Sequence, residues 1–374
     1  MDQLGMPSPV LMERAALCVS AEVERWLAGD RMTVVALCGP GNNGGDGLAV
    51  ARQLRGRGHD ARAIMIVDKH NEAVAQQRAL ARAHGVPIGS GVEALPEERV
   101  LFVDAMLGTG SRGAPRGAIA DALDRLGERS DPVVAVDLPS GVDPDTGAVA
   151  GKVVRADVTV TFQRSKPGLH LTPGRELAGT VVVGEIGLAA SPDLAAVFAL
   201  IGPNEVAAGL SRLRPGRHKG ERGHLGLVAG SGGTPGAAII AGTAALRAGA
   251  GLVTLASDDP ALTQRLLADR PELMVEPRDA DPLLPRANAL AVGPGLTSEA
   301  SRAGLDVLYT SDERPAIWDA SGLDEVPGGS TPAGPRVITP HPGEAARLLT
   351  RLTKDGWDTG RVQGDRVLAA RELA

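Results

Sequence analysis

Apolar side chains recur at helical spacing over residues 8–28 (Val10, Leu11, Leu17, Val23, Leu27), with Glu and Arg between them, which predicts an amphipathic helix. The pattern then changes. Short β-branched runs at 33–38, 63–67, 100–103, 133–136, 158–162 and 181–183 alternate with stretches rich in Ala, Leu and Arg. Runs this continuously apolar, spaced by helices, predict a parallel sheet covered on both faces. The alternation breaks over 189–216, where Pro192, Pro203 and Pro215 lie among Asn, Ser and Arg, and a domain boundary is placed there. It resumes with runs at 225–229, 252–256, 289–292, 316–318 and 337–339, the last preceded by a Gly/Pro-rich loop over 321–336. No short-period repeat is found. A chain of 374 residues exceeds what one core usually holds, so two α/β domains are expected, 1–205 and 206–374.

Composition narrows the function classes. The net charge is -6 and no Lys/Arg block occurs, so there is no electrostatic footprint for nucleic acid or an anionic membrane. Small anions must then be held by backbone N–H groups and helix N-termini. Aromatic residues are only 2%, so a bound base cannot rely on stacking. Two cysteines, Cys18 and Cys38, give no disulfide framework, and Cys38 at the end of an apolar run reads as core. The start, Met1-Asp2-Gln3, carries no basic and apolar leader, and no stretch nears 18 uninterrupted apolar residues. A cytoplasmic protein with no membrane span is expected.

Three polar loops follow the first-half runs. They are Gly39-Pro40-Gly41-Asn42-Asn43-Gly44-Gly45-Asp46-Gly47, then Asp104 with Gly108-Thr109-Gly110-Ser111-Arg112-Gly113, then Asp137-Leu138-Pro139-Ser140-Gly141. In a parallel sheet all three lie on the carboxyl edge, where open α/β sheets bind ligands. Taken alone, the first loop satisfies G-x-G-x-x-G, and Asp68 stands near the offset of a ribose-binding acid, so a nicotinamide-dependent dehydrogenase fits it. Against this, Asp46 is expected in the first helical turn, facing and repelling a pyrophosphate, and Asp104 and Asp137 add two carboxylates at the same edge. Clustered carboxylates beside a phosphate point to a bound cation, or to a carboxyl acting as acid or base. Chain reversal and helix capping by these Gly and Asp residues are the non-catalytic alternative, which would leave a nucleotide-binding or interaction protein. Arg112 is a candidate phosphate clamp, and Lys166 before Pro167-Gly168 reads equally as a surface lysine or as a residue reaching the same edge.

GPGNNGGDGLAVARQL, VDAMLGTGSRGAPRG, VDLPSGVDPDTG and ADVTVTFQRSKPGLHLTPGRELAG resemble, in order and spacing over about residues 8–188, the signatures of the NAD(P)H-hydrate epimerase family. The resemblance implies a Rossmann-like three-layer domain. It implies that Asn42, Asn43, Gly44, Gly45 and Asp46 bind the phosphate-bearing part of the substrate. It implies a second substrate loop at Gly108, Thr109, Gly110, Ser111, Arg112, Gly113 and Ala114, and potassium on Asn43, Asp104 and Ser140. Asp137 would contact the damaged nicotinamide as acid/base. The substrates would be NADHX and NADPHX, cofactors hydroxylated at C6 beside the ring nitrogen N1. The N1 lone pair expels a protonated hydroxyl, water returns on the other face, and no redox cofactor is needed. The resemblance also implies a homo-oligomer.

The second half carries His218-Lys219-Gly220, Gly230-Ser231-Gly232-Gly233-Thr234-Pro235-Gly236, Val292-Gly293-Pro294-Gly295 and Thr339-Pro340-His341-Pro342-Gly343-Glu344. Each alone is a strand-end loop, and His341 between prolines is also an ordinary turn residue. In this order they resemble the ADP-dependent NAD(P)H-hydrate dehydratase family, with its ribokinase-like fold. That places Ala238, Gly295 and His341 near the hydrated nucleotide, with ADP and Mg2+ expected only of an intact domain. Two departures stand out. The family's Gly-x-Gly-Asp loop does not occur after Glu344, and its Asp-Ala-Asp stretch reads Asp319-Ala320-Ser321. The second domain is therefore expected to be an incomplete ribokinase-like domain lacking its C-terminal part, with no dehydratase turnover.

Overall fold

The computed structural model describes residues 6–188, 198–209 and 218–374, except 232, 258, 279–283, 285 and 330. The chain divides into two compact units, chiefly residues 1–199 and 200–363. Pro192, Pro215 and Gly232, which figure in the boundary and loop expectations, lie outside the described residues.

The first unit runs α1 (Ser8–Leu27), β1 (Val34–Cys38), α2 (Asn42–Gly56), β2 (Ala61–Met65), α3 (Glu72–Ala83), β3 (Ile88–Ser90), β4 (Leu101–Ala105), α4 (Ala118–Gly127), β5 (Val133–Val136), β6 (Val158–Phe162), α5 (Gly174–Leu177) and β7 (Thr180–Gly184). All seven strands are parallel, in the order β3-β2-β1-β4-β5-β6-β7. Side-chain alternation along β1 splits the core in two. Val34, Ala36 and Cys38 pack under α1 and α2 with Val19, Leu48 and Leu54, while Val35 and Leu37 pack under α4 with Phe102, Leu123 and Leu126. Both faces are covered, as the continuous apolar runs require.

Helix α1 forms where the apolar spacing places it, but its buried face differs from the expected one. Leu11, Met12, Ala15, Ala16, Val19, Val23 and Leu27 are buried, whereas Val10 and Leu17 are 43% and 48% exposed. Small alanines, invisible to a search for large side chains, mark the true contact stripe. A polar clasp fixes this helix: the Glu13 carboxylate accepts from Arg52 (2.5 and 2.6 Å) and Gln53 (3.0 Å) of α2 and from Gln77 (3.2 Å) of α3. Glu13→Ala leaves these three donors unsatisfied and is expected to lower stability by about 1–2 kcal/mol, read as a fall in Tm.

The second unit holds a parallel six-stranded sheet in the order β10-β9-β8-β11-β12-β13. Its strands are β8 (His224–Val228), β9 (Leu252–Ala256), β10 (Met274–Glu276), β11 (Ala289–Val292), β12 (Ala316–Trp318) and β13 (Arg336–Ile338). Its helices are α6 (Pro203–Gly209), α7 (Pro235–Ala248), α8 (Pro260–Asp269), α9 (Glu299–Arg302), α10 (Leu305–Ser311), α11 (Pro342–Thr353), α12 (Thr359–Gly364) and α13 (Arg366–Leu373). Trp318 is fully buried at the centre of one face, edge-on to Tyr309 at 5.1 Å. No described helix is long and apolar enough to cross a membrane.

Candidate active site

The first sheet reverses its strand order between β1 and β4, and the crevice at such a switch is the natural ligand site of an open α/β sheet. A cavity of about 740 Å3 lies there, within the range of small-molecule sites. Its polar side is built from the loops after β1, β4, β5 and β6, and its apolar side from α1 (Leu11, Met12, Ala15) with Ile186 and Leu188. The expected convergence of three loops is thus observed, with β6 supplying a fourth and the segment after β2, through Asn71, a fifth.

Two glycines of the loop after β1, Gly39 and Gly44, have no room for a side chain. A Cβ on Gly39 would lie 1.8 Å from the Met106 carbonyl oxygen, and one on Gly44 would lie 2.0 Å from the Gly39 carbonyl oxygen. Close backbone approach sets α2's first turn against the loop after β4. Asn42, Asn43 and Asp46 line the cavity; Gly44 and Gly45 do not, being buried beneath it. Asp46 falls in the second turn of α2, not the first as expected. Burial pushes its carboxyl well above the ordinary range, and the Asp137 carboxylate adds to the push. A carboxyl shifted in this direction repels a phosphate less, which weakens that objection to a dinucleotide. A different one replaces it: Asp68, the candidate ribose acid, bonds to the Ser90 hydroxyl at 3.0 Å and does not line the cavity.

Asp137 sits at the end of β5 with φ of +70°. Leu138 N donates to the Val136 carbonyl at 2.8 Å across it, closing a three-residue turn of a rare and strained kind. Its own N–H donates to the Val160 carbonyl of β6 at 2.8 Å. The side chain is almost fully buried. One carboxylate oxygen accepts from the Thr109 amide at 2.9 Å and from the Thr109 hydroxyl. The other is 2.7 Å from the Lys166 ammonium. Burial works to raise the Asp137 carboxyl, but Lys166 and the Thr109 donors outweigh it and hold it below the usual carboxylate range.

Lys166 is the residue that sequence reasoning left undecided. A second tight turn, at Gln163 (φ +63°) with Arg164 N donating to the Phe162 carbonyl at 2.7 Å, redirects the chain after β6. Lys166 then lines the cavity, and its ammonium also donates to the Thr161 hydroxyl at 2.7 Å. The only sequence signal was its place just after β6, the strand paired to β5.

Asp104 does not follow its strand, as expected, but lies inside β4, fully buried beside Leu37 and Ala135. It accepts from Ser140 N (2.7 Å), the Ser140 hydroxyl (2.7 Å) and Met106 N (3.2 Å). Burial still raises its carboxyl to about 6, and among the described residues no Lys or Arg is paired with it. Asn43 approaches the same strand end: a Cβ on Gly108 would lie 3.2 Å from its Oδ1 and from Asp137 Oδ2.

The second substrate loop is half as expected. Gly108, Thr109, Gly110 and Ser111 line the cavity, while Arg112, Gly113 and Ala114 do not. Arg112 turns back to the Thr109 and Ser111 carbonyls (2.8 and 3.0 Å) and pairs with Asp145 at 2.9 Å, so it is no phosphate clamp here. Cys38 is core as expected, and burial pushes its thiol up.

In the second unit Gly295 (φ +74°) presses on α7, its carbonyl accepting from Ser231 (2.8 Å) and Thr234 (2.6 Å). Ala238 is fully buried in the same helix. His341 is the N-cap of α11: its Nδ1 accepts from Gly343 N (3.1 Å) and Glu344 N (3.4 Å), and Glu344 accepts from His341 N (2.9 Å). His341 is thus a helix cap, where the sequence offered an ordinary turn residue. Asp319 accepts from the Thr339 hydroxyl at 2.9 Å.

Comparison with known proteins matches residues 8–168 to the YjeF-related protein N-terminus and residues 225–374 to NAD(P)H-hydrate dehydratase. The bifunctional NAD(P)H-hydrate repair enzyme Nnr of Escherichia coli K12 is 36% identical over 389 residues, covering 100% of this chain and 72% of that protein. The Nnr protein of Moorella thermoacetica is 36% identical over 404 residues, covering 99% of this chain and 74% of its own. Among solved structures, the ADP/ATP-dependent NAD(P)H-hydrate dehydratase of Bacillus subtilis, co-crystallised with ATP and Mg2+, overlaps 46% of this chain and 61% of its own. Its TM-score is 0.40 at 30% identity.

Proposed function

The chain belongs to the bifunctional NAD(P)H-hydrate repair enzymes, and from that premise we propose that its first domain, residues 1–205, epimerises NADHX and NADPHX at the Asp137–Lys166 couple. One observation carries the reading: a carboxylate held ionised by an ammonium at 2.7 Å, both facing a cavity of dinucleotide-binding topology. The C6–O bond breaks as the N1 lone pair forms the iminium. The departing hydroxyl takes a proton from the Lys166 ammonium and leaves as water. Water then adds to C6 from the other face and gives its proton to the couple, and the electron pair returns to N1. Asp137, ionised at rest, is the fitting acceptor for that proton, which then passes to the Lys166 amine 2.7 Å away and restores the ammonium; no oxidant is consumed.

The residues present fit a potassium ion. Asp104, Ser140 and Asn43 offer oxygen donors, and Asp104 is a buried carboxylate with no paired cation among the described residues. Bound there, the ion would neutralise Asp104 and hold the loops after β4 and β5 at the substrate.

Both of the family's domains are present, and we assign residues 206–374 to the dehydratase domain. Ala238, Gly295 and His341 would adjoin the hydrated nucleotide, with ADP and Mg2+ serving to phosphorylate the C6 hydroxyl. The 374 residues hold no Gly-x-Gly-Asp loop after Glu344. In the family resemblance, such a loop would supply the anion hole and the proton acceptor of phosphoryl transfer. The test is an assay of the purified chain on R-NADHX with potassium present. Supplied with a dehydratase and ADP, the chain is expected to accelerate R-NADHX clearance. Untouched R-NADHX from a folded chain would sink the epimerase reading.

A further inference from the structure

Asn71 precedes α3 and lines the same cavity as Asn42 and Asn43. It caps α3: its Oδ1 accepts from Val74 N at 3.0 Å, and only an oxygen can do this. Capping therefore fixes which way the Asn71 amide faces. Its remaining group, Nδ2, donates to Asn42 Oδ1 at 2.8 Å. Asn42 in turn has its oxygen committed and its NH2 left to face elsewhere. Asn71 N also donates to the Pro40 carbonyl at 3.2 Å, tying it to the loop.

Asn42 opens α2, a 15-residue helix whose N-cap Gly41 supplies no side-chain acceptor; Gly44 N already donates to the Gly41 carbonyl at 2.9 Å, which leaves the N–H groups of Asn42 and Asn43 without a side-chain cap. Beside them, Asn43 is more than nine-tenths buried, and its Nδ2 has no hydrogen-bond partner among the described residues. A buried donor without an acceptor is costly unless a ligand supplies one. The Asn42 amide, the Asn43 amide and the helix N-terminus together form a rim of donors, suited to an anionic oxygen.

We propose that Asn71 is a positioning residue for substrate binding: by capping α3 it orients the Asn42 amide so that NH2, not oxygen, faces the substrate's phosphate. The identity of that phosphate rests on the epimerase reading above. A hydrogen-bond preference at one helix thus sets the polarity of the anion site on another.

Asn71→Asp tests it. Aspartate still caps α3 but donates nothing, and it accepts from the Asn42 NH2, turning the Asn42 oxygen toward the phosphate. KM for R-NADHX is expected to rise about tenfold with kcat within about twofold, and Tm to hold. Asn71→Ser, a neutral cap too short to reach Asn42, is expected to raise KM by about threefold. In an Asn42→Ala background Asn71→Asp should add nothing; a further tenfold rise there means the new charge acts through space and overturns the proposal. So does a fall in kcat at constant KM. Affinity for unreactive NADH, measured by titration in the same variants, should fall in parallel. If the parent chain binds NADH and the variants weaken it without any R-NADHX turnover, the epimerase reading fails and this one stands. Turnover that ignores every Asn71 variant overturns this inference alone. A parent chain that neither turns over R-NADHX nor binds NADH overturns both.

Discussion

Replacing Asp137 by Asn is expected to slow interconversion of the R and S hydrates by about 100- to 10,000-fold, the usual worth of a positioned proton-transfer group. Asparagine keeps the oxygen that accepts from Thr109 and nearly the same volume, so binding should change little. It cannot take a proton from the returning water. The loss belongs in kcat, measured by chromatographic resolution of the two epimers, with the variant's melting curve as the control. A variant that epimerises at the parent rate removes Asp137 from the chemistry.

Lys166→Met should come close to the same loss and should also reshape the pH profile. In the parent, burial favours a neutral Asp137, and Lys166 with the Thr109 donors reverses that preference. A carboxyl whose folded pKa is depressed contributes stability above its unfolded pKa, about 3.9. That contribution is lost as the pH falls through the depressed folded value. Without the ammonium, burial prevails, so the Asp137 pKa rises and the acid limb of the rate profile moves toward neutrality. The variant is therefore expected to lose more activity at pH 6 than at pH 8, on top of losing the proton donor. An acid limb that stays in place would mean the ammonium neither sets the charge of Asp137 nor shares its proton.

Much of this architecture is legible in the residue pattern. The runs at 133–136, 158–162, 252–256, 289–292 and 316–318 coincide with β5, β6, β9, β11 and β12, because parallel strands buried on both faces leave a continuous apolar trace. Two edge strands leave none: β3 is Ile88-Gly89-Ser90, too short and too polar to register, and β10 is three residues long, whereas the edges β7 and β13 do show, in the runs at 181–183 and 337–339. The site is legible where a loop directly follows a strand, as at Asn42 and Asp137. Arg112 and Lys166 show why the rest was not. Both are cations in Gly/Pro-containing loops; one folds back on Asp145 and the other enters the cavity. What separates them is a tight turn at Gln163, a residue whose sequence neighbours give no hint of a positive φ. Asn71 escaped notice because capping and ligand positioning use the same amide.

The backbone at Asp137 restricts evolution as well as chemistry. A φ of +70° is open to glycine and, among side chains, is best tolerated by Asn, Asp and His. Glutamate or cysteine, two other proton carriers, would meet a steric penalty there before any reaction was attempted. Neutral drift at this position thus runs into dead ends: glycine has no functional group and asparagine no titratable one. Of the residues the turn tolerates, only aspartate offers a carboxylate to the Lys166 ammonium, so the turn itself narrows the replacements open to this position.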